Sequence, residues 1–159
     1  MALALVPLGI PHIQIVAYVE RLLAPYRLVD TIAGKQPAGF IDYWLIGGLY
    51  DGALSGSASR VQEIDLSTPP PGSGRVVGYR VPAQAYDPHQ WLRNNQMAVA
   101  ALPPVKEWDA AILVSAAITP DGRWHSLERA VLDGRWRTLL QDILDQHQDC
   151  WAITLQYHR

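Results

Sequence analysis

Residues 41–52, which read Ile-Asp-Tyr-Trp-Leu-Ile-Gly-Gly-Leu-Tyr-Asp-Gly, constrain the fold more than any other part of the chain. Their aromatic and branched side chains favour a β-strand, which stops at Gly47 and Gly48 and again at Asp51-Gly52. Glycine tolerates a positive φ and lets another group approach the backbone closely. The doublet therefore predicts a bulge, a sharp turn or a point where something touches the main chain.

The composition predicts one domain spanning residues 1–159. Hydrophobic residues make up 49% of the chain and six residues are Trp, which is enough to build a core. The net charge of −2 gives no general attraction to nucleic acid or to an anionic membrane. The single cysteine excludes an internal disulfide, and we find neither a signal-peptide pattern nor a run of roughly 18 apolar residues. We therefore expect a soluble, cytoplasmic protein without a membrane partner.

The first half of the chain predicts short elements joined by loops. Residues 12–19 alternate between apolar and polar side chains, as a strand does, and residues 20–28 favour a short helix. A second strand is predicted at 42–46, with a hairpin return at 50–54. Residues 55–74 are rich in Pro, Gly and Ser, so we interpret them as an irregular insertion.

The second half carries stronger patterns. Residues 110–118 are nearly all apolar, which is typical of a central strand that is buried on both faces. The Thr-Pro-Asp-Gly sequence at 119–122 predicts a turn, after which residues 123–126 return as a strand. A helical stripe of apolar residues follows Asp133, a candidate N-cap. The other predicted elements are a strand at 76–81, a helix at 88–101 and a strand at 150–158.

This order of elements predicts an α+β fold, ferredoxin-like in outline, with a long central insertion. In that two-layer sandwich, the helices cover one face of a mostly antiparallel sheet. The first and last strands are then antiparallel neighbours, so an end of one lies beside an end of the other.

Several short segments match, in order, the motifs of one family. They are Pro-His-Ile-Gln at 11–14, Leu-Ala-Pro-Tyr at 23–26, Tyr-Trp-Leu-Ile-Gly-Gly at 43–48, Thr-Pro-Asp-Gly-Arg-Trp-His at 119–125 and Tyr-His at 157–158. With these segments the chain resembles a family of small uncharacterised phage and bacterial proteins. Leu49-Tyr50 stands where that family has Arg-Trp, and Tyr157 replaces a cysteine. The resemblance implies the outline of the fold and an accessory role in a phage–host setting, but no activity.

Three histidines define the first candidate site. His12 lies on the polar face of the first predicted strand, and His158 shares the outward face of the last strand with Thr154 and Gln156. If these strands are neighbours, His12 meets His158, and His125 approaches from the hairpin. Such a group could bind zinc, or two imidazoles could serve as acid and base in phosphodiester hydrolysis. Solvated histidines at strand ends are the alternative, and because no local spacing ties the three together we assign no metal.

The Gly-Gly doublet and its flanking carboxylates define the second candidate site. Asp42 and Asp51 bracket Gly47 and Gly48, and such a pair could hold Mg²⁺ or act as acid and base. An ordinary turn at Asp51 is the alternative. The doublet lacks the Lys-Ser/Thr of a phosphate-binding loop and the three glycines of a dinucleotide fingerprint, so no nucleotide cofactor is predicted.

Two residues near the C-terminus are given structural roles. His147 follows the apolar stripe of the last predicted helix, and we expect it to serve the C-terminal end of that helix. Cys150 precedes a core strand, so we expect a packed and inert thiol.

Aromatic residues and an arginine suggest a binding surface. Trp44 and Tyr50 could stack on nucleic-acid bases, but the nearby carboxylates do not favour this. Aromatic and Arg side chains also anchor protein interfaces. We therefore predict a non-catalytic accessory protein that binds a protein partner or itself through a rim formed by the Gly-Gly doublet, Tyr50 and Arg123. The alternative is a hydrolase or nuclease that uses His12 and His158, with or without a divalent metal.

Overall fold

A mixed β-sheet organises the part of the chain that the structure, a computed structural model, describes: residues 1–27, 39–41, 43–54, 87–108, 114–127 and 135–158. Six strands form this sheet within those ranges. They are β1 (Ala2–Pro7), β2 (Tyr43–Ile46), β3 (Gln96–Ala98), β4 (Ala116–Ile118), β5 (Trp124–Ser126) and β6 (Cys150–His158).

The strand order is β2-β6-β1-β4-β5, and β3 also pairs with β6. β1 lies at the centre, antiparallel to β6 and parallel to β4. Along its other edge, β6 pairs first with β3 and then with β2, both antiparallel. The sheet is therefore mostly antiparallel, with one parallel pair at its centre.

Three α-helices accompany the sheet in the described ranges: α1 (Ile15–Leu23), α2 (Pro88–Leu92) and α3 (Trp136–Asp145). The short α2 begins where the Asp87 side chain accepts a hydrogen bond from the backbone N–H of His89, with proline at the first helical position. α3 is tied to the sheet because the indole N–H of Trp136 donates to the carbonyl of Val114 at 2.6 Å.

Helices cover both faces of the sheet, so the predicted arrangement with helices on one face is wrong. Successive side chains of a strand point to opposite faces. Ala2, Ala4 and Val6 pack with α1, whereas Leu3 and Leu5 pack with α3, and all five are fully buried. α+β is the observed class, whereas the two-layer, ferredoxin-like arrangement is not confirmed.

The helix on the second face also buries the side of β6 that the sequence assigns to solvent. The sequence predicts that Thr154 and Gln156 face outward, but both are buried. Ala152 packs in the cluster formed with α3, which covers the face that the alternating pattern assigned to solvent. Alternation of polar and apolar residues was therefore a poor guide where a second helix covers the polar face.

The predicted first strand at residues 12–19 is wrong. This segment forms a turn of 3₁₀-helix (His12–Gln14) followed by α1, whose residues Ile15, Val19 and Leu22 are buried at helical spacing. Ile13, which the strand-like alternation places among the apolar residues of one face, is exposed instead. The first strand is instead β1, which is apolar on both faces and so shows no alternation. The antiparallel neighbour of β6 is β1, so the predicted pairing of residues 12–19 with the last strand is also wrong.

Several local predictions are confirmed. β2, β4 and β5, the helix at α3 and the strand β6 lie within the predicted segments, and Gly122 has a φ of +81° in the predicted turn. The hairpin return at 50–54 is wrong, because the chain enters a 3₁₀-helix (Gly48–Tyr50) and β2 pairs with β6. The helix at 88–101 ends at Leu92 and is followed by β3.

Some predictions lie outside the described residues: the insertion at 55–74, the strand at 76–81, Asp42 and the N-cap Asp133. Within the described ranges, none of the helices combines the length and the apolar character needed to cross a bilayer.

Candidate functional site

The Gly-Gly doublet lies at the junction where one edge of β6 passes from β2 to β3. Gly47 and Gly48 have φ values of +72° and +60°. The N–H of Gly47 donates to the carbonyl of Thr154 at 2.9 Å, and the N–H of Thr154 donates to the carbonyl of Asn95, also at 2.9 Å. One residue of β6 is thus bonded to two different segments, and the positive φ values turn the chain away at that point.

Asn95 is the group that approaches the doublet. Its fully buried carboxamide donates to the Asp51 carboxylate at 2.5 Å and to the carbonyl of Trp91 at 2.9 Å, and it accepts from the N–H of Gly52 at 3.2 Å. A Cβ on Gly47 would lie 2.6 Å from Cγ of Asn95. The contact with the main chain that the sequence predicts is therefore made by a side chain of the same protein.

This arrangement gives Asp51 a structural partner. Its carboxylate accepts from Asn95, and its predicted companion Asp42 lies outside the described residues. Trp44 is half-buried against the core on the α1 face, and Tyr50 is half-buried against the core on the α3 face. Nothing in the sequence signals Asn95, because a buried asparagine looks like any other polar residue between two elements.

The structure does not bring His12 and His158 together. His12 follows β1, whose last residue Pro7 pairs with Cys150, the first residue of β6. His158 is the last residue of β6 and pairs with Tyr43. The eight steps from Cys150 to His158, at about 3.4 Å each, separate these two ends by about 27 Å. Within the described ranges, no group of three or more His, Cys, Asp or Glu side chains is placed to hold a metal ion.

The structure also separates the members of the predicted rim, which are the Gly-Gly doublet, Tyr50 and Arg123. The N–H of Gly47 bonds to β6, and a row of paired residues then crosses the sheet to His125. The row is Gly47, Thr154, Leu3, Ala117 and His125. Its four inter-strand spacings of about 4.8 Å put the doublet about 19 Å from His125. Arg123, two residues before His125, therefore belongs to a different region from the doublet and Tyr50.

Arg123 and His125 belong to the β4–β5 hairpin, at the end of the sheet where β4 finishes. Burial lowers the pKa of His125, and the positive charges of Arg123 and His147 lower it further, while Asp121 acts in the opposite sense. His147 also serves α3 as predicted, since its Nδ1 lies 2.7 Å from the carbonyl of Ile143.

An exposed apolar loop lies at the same end of the sheet. We call residues 8–14 the β1–α1 loop. Within it, the side chain of Leu8 is 43% exposed and that of Ile13 is 70% exposed. These are the large hydrophobic side chains that the described residues expose. Because β1 and β4 are parallel, their C-terminal ends meet at one edge, and the β1–α1 loop and the β4–β5 turn extend from that edge.

The thiol of Cys150 is not part of a reactive site. Burial, followed by the neighbouring Asp149, raises the pKa of this thiol to about 11. Since the thiolate is the reactive form, a raised pKa keeps the group unreactive near neutral pH. As predicted, the Cys150 side chain is packed in the core, on the α3 face of the sheet.

No family model, curated protein or solved structure matches this chain. The class of protein rests on the fold alone: an α+β domain whose mixed sheet is covered by a helix on each face. The resemblance to the phage and bacterial family stays a prediction.

Proposed function

We propose that this protein binds a protein partner through the β1–α1 loop, as a non-catalytic accessory domain. The observation that carries the proposal is the exposure of Ile13 and Leu8 within one seven-residue segment. Single exposed apolar residues are common on soluble proteins. Two such side chains on one short loop, beside the polar residues His12 and Gln14, have the composition of a small interface with an apolar centre and a polar rim.

Backbone hydrogen bonds hold the loop in place, so its apolar side chains are presented in a fixed position. The N–H of Leu8 donates to the carbonyl of Asp149 at 2.9 Å, and that of Ile10 donates to Pro7 at 3.0 Å. Gln14 donates to Pro11 at 2.7 Å, and Ile10 packs against the core. A preorganised loop loses little conformational entropy when a partner docks, and this favours affinity.

This proposal replaces the predicted rim around the Gly-Gly doublet. There the glycines are buried, Asn95 covers Gly47 and the Asp51 carboxylate is engaged. We do not propose a hydrolase that uses His12 and His158 together, because about 27 Å of β6 separates their ends of the sheet.

The test is site-specific photo-crosslinking in the cells that produce the protein. A photoreactive phenylalanine analogue replaces Ile13, and in a matched control it replaces Thr138, an exposed residue of α3. We expect one defined protein adduct from position 13 and none from position 138. Unlabelled protein should compete for the adduct, whereas the variant Leu8→Asp/Ile13→Asp should not.

Adducts of equal yield from both positions, or an adduct that the double variant still competes away, would contradict the proposal. A crosslink between two copies of the chain would identify self-association as the partner contact. Because both residues are exposed, we expect the free energy of unfolding of the double variant to differ from that of the parent by about 0.5 kcal/mol or less per site. Loss of binding would then not reflect loss of the fold.

A further inference from the structure

Asp-Gly pairs are the places in a polypeptide where aspartate isomerises most readily. Glycine has no side chain to hinder attack by its own nitrogen, and it adopts unusual backbone angles at little cost. The chain contains three such pairs, at residues 51–52, 121–122 and 133–134. The third lies outside the described residues, and the surroundings of the first two differ.

Isomerisation begins when the glycine nitrogen attacks Cγ of the protonated aspartate side chain. A C–N bond forms, and the proton of the nitrogen leaves with the carboxyl hydroxyl group as water, which gives a five-membered succinimide ring. Water then adds to one of the two ring carbonyls, and the C–N bond at that carbonyl breaks. Addition at one carbonyl restores aspartate. Addition at the other leaves the main chain running through the side-chain carbonyl, which is isoaspartate.

One side chain, that of Asn95, binds both reacting groups of the first pair. Its Nδ2 donates to the Asp51 carboxylate at 2.5 Å, and its Oδ1 accepts from the N–H of Gly52 at 3.2 Å. Nδ2 also donates to the carbonyl of Trp91 at 2.9 Å, and the Asn95 side chain is fully buried. The attacking nitrogen and the carboxyl group that it would attack are therefore held by different atoms of one planar carboxamide.

The backbone of Asp51 is also set against ring closure. The ring closes only when the Gly52 nitrogen has turned about the Cα–C bond of Asp51 until it nearly eclipses Cβ. Asp51 has a φ of −55° and a ψ of 125°, and this ψ places the nitrogen well away from the eclipsed position. Since a reaction requires its two atoms in a near-attack arrangement, the Gly52 N–H must first leave Asn95.

We propose that Asp51-Gly52 is a latent modification site, which forms isoaspartate when Asn95 is displaced. Isoaspartate carries one more carbon atom in the main chain than aspartate does, so the Gly52 N–H moves away from Oδ1 of Asn95. Asn95 also fills the space beside Gly47. The modification therefore loosens the junction at which β2 and β3 share one edge of β6.

The second pair serves as an internal reference in the same molecule. Asp121 is exposed, and its carboxylate accepts hydrogen bonds from the Thr119 hydroxyl and from the N–H of Arg123. The N–H of Gly122 donates to the carbonyl of Thr119 at 2.8 Å. These partners all belong to residues 119–123, so a change at position 95 leaves them in place.

The test is peptide mapping of the purified protein after incubation at neutral pH and 37 °C. Chromatography and mass spectrometry quantify isoaspartate at positions 51 and 121. In the folded parent, position 51 should isomerise more slowly than in denaturant by about tenfold or more, because local opening must come first. Asn95→Ala removes both hydrogen bonds, so it should accelerate position 51 by about fivefold or more and leave position 121 unchanged.

The matched control is Leu23→Ala. Leu23 is fully buried on the α1 face, whereas Tyr50 and Ala53, which flank the Asp-Gly pair, pack on the α3 face. The change leaves a cavity and destabilises the protein without touching the carboxamide. Position 51 should therefore isomerise in this variant as slowly as in the parent.

Equal rates at position 51 in the folded parent and in denaturant would overturn the proposal, and this comparison needs no variant that must fold. An unchanged rate in folded Asn95→Ala would overturn the role of Asn95. Equal acceleration by Leu23→Ala would overturn it too, because general loosening would then explain the effect. The purified protein alone is measured, so these outcomes do not depend on a partner at the β1–α1 loop.

Discussion

The carboxamide of Asn95 lies directly against the backbone of Gly47, in the space that any side chain at position 47 would need. The two residues belong to different segments, and both are hydrogen-bonded to Thr154 of β6. The doublet that dominates the sequence is thus explained by a contact between residues 48 positions apart. Its role is to let two short strands, β2 and β3, share one edge of β6.

Replacement Gly47→Ala should lower the free energy of unfolding by about 3 kcal/mol or more. The added methyl group overlaps Asn95, and a φ of +72° is itself unfavourable for alanine. The matched control is Gly122→Ala, where φ is +81° but nothing lies within 4 Å of the new Cβ. That control should cost about 1 kcal/mol, from backbone strain alone. Urea denaturation measures both, and equal losses would show that the contact with Asn95 does not matter.

Replacement Asn95→Ala should destabilise the protein by about 2 to 4 kcal/mol, because it removes the buried partner of the Gly52 N–H, the Asp51 carboxylate and the Trp91 carbonyl. It also removes the group that an alanine at position 47 would strike. The double variant Gly47→Ala/Asn95→Ala should therefore lose less stability than the sum of the single changes, by about 1 kcal/mol or more. Additive losses in the double-mutant cycle would contradict direct contact.

Replacement Tyr26→Phe should destabilise by about 1 to 2 kcal/mol. The Tyr26 hydroxyl donates to the carbonyl of Gly122 at 2.6 Å and accepts from the N–H of Trp124 at 3.1 Å, so its loss leaves two backbone groups without a partner. The control is Tyr18→Phe, because the Tyr18 hydroxyl makes a single, longer bond of 3.3 Å to Pro120. In thermal unfolding, the midpoint temperature of Tyr26→Phe should lie clearly below that of Tyr18→Phe. The opposite order would argue against the two hydrogen bonds of the Tyr26 hydroxyl.

The thiol of Cys150 should be unreactive in the folded protein and should destabilise it at high pH. Its pKa is raised to about 11 in the folded state, above the ordinary value of 9.0. The folded state then holds the thiol proton more tightly than the unfolded state does. This contribution to stability is complete below about pH 9 and is lost as the pH rises through about 11.

Two measurements check this. Alkylation by iodoacetamide at pH 8 should be slow for the native protein and rapid in denaturant. The variant Cys150→Ala should lose less stability than the parent between pH 9 and pH 11. Rapid alkylation of the native protein at pH 8 would mean that the thiol is neither buried nor raised in pKa.

Local sequence determined the elements whose signals lie within a few neighbouring residues. The turn at 119–122 combines proline, aspartate and glycine, and it occurs as predicted with the Thr119 and Asp121 side chains bonded to each other. The helix α3 follows from its apolar stripe, and the side chain of His147 binds the end of that helix. These features need no distant partner, so a short stretch of sequence specifies them.

Tertiary contacts decided the rest. β1 shows no alternation because helices cover both of its faces, and residues 12–19 alternate like a strand although α1 begins at Ile15. Which end of the sheet carries each histidine depends on the direction of β6 relative to β1, and this separated His12 from His158. Nor does any local pattern place Asn95 over Gly47. Periodicity reports the faces of a single element, whereas burial and proximity depend on which other elements pack against it.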